Sequence, residues 1–582
     1  MSKNPTTAQE RLERLTADLS GARVSSRAGG RLRLNRSSNL LLGAALHAAA
    51  RVDRNLALTD LEQQLVDVLG KVLTEEGEVA AFGRAYTQAT ARGAVDILPE
   101  SITSRPVEDG YALADLLTEL PALGQEVMAQ PNFSIVDVSR IAPGEPLDSE
   151  EFKAGMAEYG RGITIVDGPP LDRAAEETLG HFALRMHSFH CLVESHESGT
   201  DEIYWGLAAG SDTSVKKSWT TREYHEVSSG SWHTFDPGSY LFAGSVRESM
   251  AAEIEVWEAD HSGSSFMASL RDVLSEVSER AAEASKTLSD MDSEAEKAAQ
   301  FAALVYVVAG LLDAFLGWIT NEDDLVLKRT IRFTRAGLAE MSRRPNGEDS
   351  WWFGGGDGGE HTLYLRCGEG AVRAIADGWP GLKNSAFADS RGAAVTSGQH
   401  TYFFKGTDYI RYDNTREVID VPPTKIAAGW PGLQGIFIAS LGASCQVPGD
   451  TSNVYLFRGE YYTRYNVRSE ETVVPSTKIA DGWPALRHTP FASSVNAAVK
   501  VPGSDTDVYL FKDDEYVRYN TSSESISSGP YKIAAGWPGL QGTEFTYNID
   551  AASEVPGSDE DVYLFKGGHY VRYATRGDFI RP

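Results

Sequence analysis

Lys532-Ile533-Ala534-Ala535-Gly536-Trp537-Pro538-Gly539-Leu540 is the last of four closely similar stretches, and it decides how the final third of the chain folds. Its centre, Gly-Trp-Pro, stands at 378–380, 429–431, 482–484 and 536–538, so the tryptophans are 51, 53 and 54 residues apart. A fixed period of this length marks a repeat architecture, in which each unit buries its apolar face against its neighbours. Each period holds a strand-like block: Tyr402-Phe403-Phe404-Lys405, Tyr455-Leu456-Phe457-Arg458, Tyr509-Leu510-Phe511-Lys512 and Tyr563-Leu564-Phe565-Lys566. After a turn comes Tyr409-Ile410-Arg411-Tyr412 and its counterparts starting at Tyr462, Tyr516 and Tyr570, which alternate as half-buried strands do. Each repeat therefore contains a hairpin.

Upstream of each hairpin lie paired small residues, Ala393-Ala394, Ala443-Ser444, Ala497-Ala498 and Ala551-Ala552, suited to an innermost strand where four sheets crowd one axis. Ala393, Ala443, Ala497 and Ala551 are thus the inner-strand, channel-side candidates. Small sheets of about four strands, stacked radially, make a propeller, here four-bladed over residues 383–582, with Trp and Pro filling the wedge at each blade junction. The pattern closely resembles the hemopexin repeat, down to the Asp550-Ala551-Ala552 triplet, over about 200 residues by the repeat count. The resemblance implies a binding disc whose central channel, lined by backbone carbonyls, holds calcium or another ion, and it implies no enzymatic activity. Secreted animal members close the ring with a disulfide. No cysteine follows Cys445 here, so closure must rest on packing of the last blade.

With 582 residues the chain is long enough for several domains. Its 54 basic and 82 acidic residues leave a formal charge of −28, which repels the nucleic-acid backbone. Three widely spaced cysteines, Cys191, Cys367 and Cys445, exclude a disulfide framework. Met1 to Leu15 has no apolar core and does not read as a signal peptide, so the expectation is a protein cytoplasmic as made and exported, if at all, by a non-classical route.

The expected architecture before the propeller is multidomain α+β: a helical domain over 1–125, a mixed linker over 126–180, and a β-sandwich-like domain over 181–370 with a helical insertion at 266–320. Thr59 with Glu62 three residues later is a helix-start signal, and Leu61, Leu65, Leu69 and Val72 follow at helical spacing. Strand-like runs stand at Phe133–Val138, Ile163–Val166, Phe189–Val193, Ile203–Leu207, Ser239–Ala243, Ala252–Trp257, Leu325–Phe333 and His361–Arg366. Asp201, Glu202 and Asp260 faintly resemble the acidic corners of calcium-binding β-sandwiches, but no full ligand set is legible and surface turns account for them better. Ala298 to Ile319 is almost wholly apolar, with Asp313 its sole charge; it is long enough to span a bilayer, yet a helix apolar all round is also a core helix. Val307, Leu311 and Asp313 are the positions that mark this candidate membrane segment.

Motifs for chemistry are sparse. His225-Glu226 and His196-Glu197 lack the second histidine of a zinc protease, and the Gly354–Gly359 run lacks the ending of a phosphate loop. His187, His190, Cys191 and His196 include zinc-ligand types, but His190 and Cys191 point to opposite faces of a strand. Three readings follow. The leading one is a non-enzymatic bacterial protein of toxin or adhesin type, whose propeller binds a surface protein, glycan or small ligand and whose body carries a membrane-active helical hairpin. The others are a soluble binding or storage protein for haem or another small molecule, and an enzyme with the propeller as targeting module.

Overall fold

The computed structural model describes residues 7–22, 27–93, 95–171, 179–194, 201–213, 215–236, 239–258, 298–299, 301–303, 311, 314, 318, 325–354, 359–389, 392–541 and 543–581. The chain divides into two units: a body of residues 1–176, 184–242 and 246–367, and a propeller unit of residues 368–582 with the short segments 177–183 and 243–245.

In the body, Thr59 and Glu62 cap a helix reciprocally: the Thr59 hydroxyl accepts from Glu62 N, and the Glu62 carboxylate accepts from Thr59 N at 2.9 Å. That helix is Asp60–Val72, and a second, Glu78–Ala91, starts after Gly77, whose φ of 77° breaks the run. Glu78–Ala91 packs on Leu40–Asp53 so closely that a Cβ at Gly83 would lie 2.2 Å from the Ala49 carbonyl oxygen.

The body strands are β1 (Phe133–Asp137), β2 (Arg161–Asp167), β3 (Gly180–Val193), β4 (Asp201–Ser211), β5 (Lys216–Thr220), β6 (Tyr224–Val227), β7 (Trp232–Thr234), β8 (Tyr240–Val246), β9 (Ser249–Glu258), β10 (Leu325–Thr334), β11 (Glu348–Gly354) and β12 (Glu360–Gly370). One mixed sheet runs β1-β2-β10-β9-β4-β5 with β6 on β4; the other runs β11-β12-β3-β7 with β8 also on β3. Trp205 of β4 meets Phe189 of β3 at 5.5 Å and Phe353 of β11 at 5.2 Å, so the two sheets face each other across an aromatic layer. The opposite face of the mixed sheet offers Ile163, Ile165 and Ala251 to the same apolar cluster as Leu46, Phe82 and Leu120 of the helices. The sandwich is thus covered by a helical third layer.

This corrects the expected divisions at 125 and 180. Residues 126–180 are not a linker: they supply β1 and β2, paired in parallel with Phe133 opposite Ile163, and β10 extends that parallel run from β2. A strand buried on both faces reads as a plain apolar run without alternation, and β2 is buried along nearly its whole length.

Of the apolar 298–319 segment, the described Phe301, Leu311, Ala314 and Trp318 are buried in the helical cluster, and Trp318 meets Phe82 edge-on at 5.0 Å. Val307 and Asp313, and residues 266–297 of the expected helical insertion, lie outside the described residues. Among the described residues no helix is long and apolar enough to cross a membrane.

The propeller unit has four antiparallel sheets, each running from an inner strand outward. Each tryptophan of the repeat wedges between two blades: Trp430 lies 5.1 Å from Phe404 of blade one and 5.0 Å from Tyr465 of blade two. The glycine before it is required by close approach, since a Cβ at Gly429 would lie 2.1 Å from the Tyr409 hydroxyl. Closure uses more than packing. Arg373–Ala374, ahead of blade one, pairs with the third strand of blade four at Tyr570 and His569, beside Phe579–Ile580, which pairs with the same strand at Tyr573 and Ala574. The outermost strand of blade four is therefore built in two pieces from both ends of the unit, which also moves its start from the expected 383 to 368.

Candidate ligand-binding surface

Side chains that repeat from blade to blade are consumed by packing. Ala443 and Ala498 share one inter-blade core, Ala497 and Ala552 the next, and Ala551 and Ala394 the one that closes the ring; Ala393 enters the core between blades one and two. The four channel candidates stand on or beside the inner strands, where their methyl groups fill blade interfaces. The positions that do not repeat are Thr396, Gln446, Lys500 and Glu554, one per blade at matching places on the inner strands.

Glu554 is where three inner strands meet. Its main-chain oxygen accepts from the Thr396 hydroxyl at 2.9 Å, and its Oε1 accepts from Lys500 N at 3.3 Å. Its Oε2 is sealed from solvent and has no hydrogen-bond partner. Burial, the largest influence, raises its pKa above the ordinary carboxylate value.

Each inner strand of blades two to four leads into a Pro-Gly turn, at Pro448-Gly449, Pro502-Gly503 and Pro556-Gly557. On blade four this loop borders an open cleft of about 400 Å³ lined by Ser558, Asp559, Glu560, Asp561, Arg572 and Arg581. Asp561, almost fully buried, is held from both sides: Arg572 Nη2 donates to its Oδ2 at 2.6 Å and Arg581 Nε to its Oδ1 at 2.9 Å. Arg581 also reaches Glu560 at 2.9 Å. The cleft walls are overwhelmingly polar and carry planar donors next to carboxylate acceptors.

The other sequence candidates fare unevenly. Glu202 lies with Glu223 and His225, one ligand atom of each within 4.8 Å of the others, and His225 Nδ1 is 3.0 Å from Glu202 Oε1. Asp201 is buried at the start of β4, and Asp260 lies outside the described residues. His190 stacks on Trp232 at 4.4 Å, and burial pushes the Cys191 thiol up to about 12, neither of which suits a shared zinc site. In blade one, His400, Asp413 and Asp420 also converge, but Arg411 and Arg416 already neutralise the two carboxylates.

The hemopexin family model matches residues 393–435. Albumin-2 of Lathyrus sativus is 29% identical over 203 residues, which span 33% of this chain and 86% of that protein. Matrix metalloproteinase-21 of Cynops pyrrhogaster is 23% identical over 226 residues, 37% of this chain and 34% of that one. The solved structure of the hemopexin fold protein CP4 from cow pea shares 28% identity, covering 33% of this chain and 92% of its own, with a TM-score of 0.31. The C-terminal domain is a hemopexin-like domain.

Proposed function

We propose that the hemopexin-like propeller is a non-enzymatic recognition domain that captures a polar ligand, in the first instance a glycan, and that the protein acts as a binding protein of adhesin type. The observation that carries this reading is the blade-four cleft. Ser558, Glu560 and Arg581 stand at an open surface, where Glu560 and Arg581 replace the Thr506 and Ser527 of blade three, and they offer donors and acceptors side by side. Such a lining suits a hydroxyl-rich ligand, whose groups both donate and accept. It does not suit haem, which needs apolar walls.

The body, in this reading, presents the propeller. Membrane insertion would require Leu311, Ala314 and Trp318 to leave the core they share with the helices, so the toxin-type alternative stands behind the adhesin-type one. The test is a glycan microarray probed with the labelled full chain, wild type against Glu560→Gln with Ser558→Ala. Retention of a glycan set by wild type and a loss of about tenfold or more in the variant support the reading. Failure of wild type to retain any glycan at micromolar concentration overturns the choice of ligand class.

A further inference from the structure

In every blade an arginine of the third strand stands opposite a tyrosine of the second: Arg411 and Tyr402, Arg464 and Tyr455, Arg518 and Tyr509, Arg572 and Tyr563. Three of these arginines are clamped by a carboxylate. Arg411 holds Asp420 at 2.8 Å, Arg518 holds Asp507 at 2.6 Å, and Arg572 holds Asp561 at 2.6 Å. Two or more of the arginine's nitrogens contribute in each case.

Blade two breaks the rule. The residue matching Asp507 and Asp561 is Asn453, and the residue matching Asp420 is Val473. The Asn453 amide is turned to the loop, where its Nδ2 donates to Asp450 Oδ2 at 2.5 Å while Ser452 N donates to Asp450 Oδ1 at 2.9 Å. Arg464 Nε and Asn453 Oδ1 are both sealed from solvent and both without a hydrogen-bond partner. Where the other blades hold an arginine–aspartate contact, the Arg464 side chain in blade two reaches Tyr455 and leaves its Nε unanswered, and Asn453 Oδ1 is unanswered on the strand opposite. Leaving such groups unpaired is costly, and the cost is recovered when a partner arrives.

We propose that Arg464 anchors a carboxylate-binding site on blade two, in which a ligand carboxylate takes the place that Asp507 and Asp561 fill in their own blades. The planar fork of an arginine fits a carboxylate in two-point contact. Asn453 Oδ1 then selects for a ligand that carries a hydroxyl or N–H beside its carboxylate, as uronic acids and amino acids do. Asp450 lies close enough to Arg464 to sense its charge, which disfavours two negative charges on the one group that Arg464 holds, as in phosphate, relative to a carboxylate. This site is separate from the blade-four cleft and does not depend on the glycan reading.

The probes are glucuronate and N-acetylglutamate, with glucose as the neutral control, titrated by ligand-observed NMR into the full chain at physiological ionic strength. Wild type binds glucuronate or N-acetylglutamate weakly, in the millimolar range expected of one charge-assisted pair, and does not bind glucose comparably. Whichever acid binds identifies the source, sugar or amino acid. Arg464→Ala loses binding. Asn453→Asp, made together with Asp450→Ser so that the new carboxylate meets a hydroxyl as Asp507 meets Ser504 in blade three, loses binding by about tenfold or more. Glu560→Gln leaves this binding unchanged. Equal binding by this double variant and wild type, equal binding of glucose, or no binding of either acid by wild type overturns the proposal.

Discussion

His361 makes the body sensitive to acid, and the effect can be isolated by one substitution. The residue is fully buried, and neither ring nitrogen has a hydrogen-bond partner. It lies among Phe189 at 6.0 Å, Trp205 at 6.5 Å and the neighbouring Phe353, with His233 the titratable group acting on it. Burial first, and His233 second, depress its pKa to about 3, against about 6.5 in an unfolded chain. For a depressed group the stability is fully present above the unfolded value and is lost as pH falls toward the folded one. At pH 4.5 the linkage amounts to about 3 kcal/mol, two decades at 1.4 kcal/mol each. Glu253 and Glu255 act in the opposite sense: burial raises them to about 7 and about 8, so their contribution is present in acid and lost as pH rises. The wild-type curve alone therefore mixes both. The informative quantity is the difference between wild type and His361→Leu, measured by denaturant unfolding of the body at pH 7.5 and 4.5. The variant should match or exceed wild type at pH 7.5, because the orphaned imidazole is removed, and should exceed it by about a further 3 kcal/mol at pH 4.5. Equal loss by both proteins between these pH values would refute the reasoning, as would a measured His361 pKa near 6.5.

Glu554→Gln should stabilise the propeller at pH 8 in chelator-treated buffer by about 1 kcal/mol or more and give no gain at pH 4, because the raised carboxylate supports the fold in acid and loses that support as pH rises; calorimetry of the propeller transition checks this. If the channel holds calcium, adding it raises the melting temperature of wild type and not of this variant. Ile375→Ala should cost the propeller about 2–5 kcal/mol, since Ile375 is buried with Trp379, Phe403 and Phe565 at the junction of first and last blades, and its N donates to Gly568 O at 2.8 Å; urea unfolding measures the loss. Dye-loaded liposomes should remain intact with the full chain at pH 7.5, because Leu311 and Trp318 are seated in the body core; release would restore the membrane-active reading.

The propeller was legible because its local signals agree: Gly-Trp-Pro gives the period, and Tyr402 and Tyr409 with their counterparts give the hairpin. Its closure was not, since Arg373–Ala374 is too short a strand to carry a pattern and pairs nearly 200 positions away. In the body, the Thr59–Glu62 cap was readable within four residues, whereas the pairing of β1, β2 and β10 depends on distant partners and on strands without alternation. Glu223 and His225, which stand with Glu202, come from a separate strand and its approach, and no spacing announces them. The exception at Asn453 stands in the sequence, but it acquires meaning only when the structure shows what Asp507 and Asp561 do.

The central claim is that ligand capture belongs to the blade-four cleft of the propeller. The most direct test is hydrogen-exchange mass spectrometry of the full chain with and without the strongest glycan from the array. Protection concentrated on residues 556–561 and the adjoining strands is the result this account predicts. Protection confined to the body, with the propeller unchanged, would contradict it.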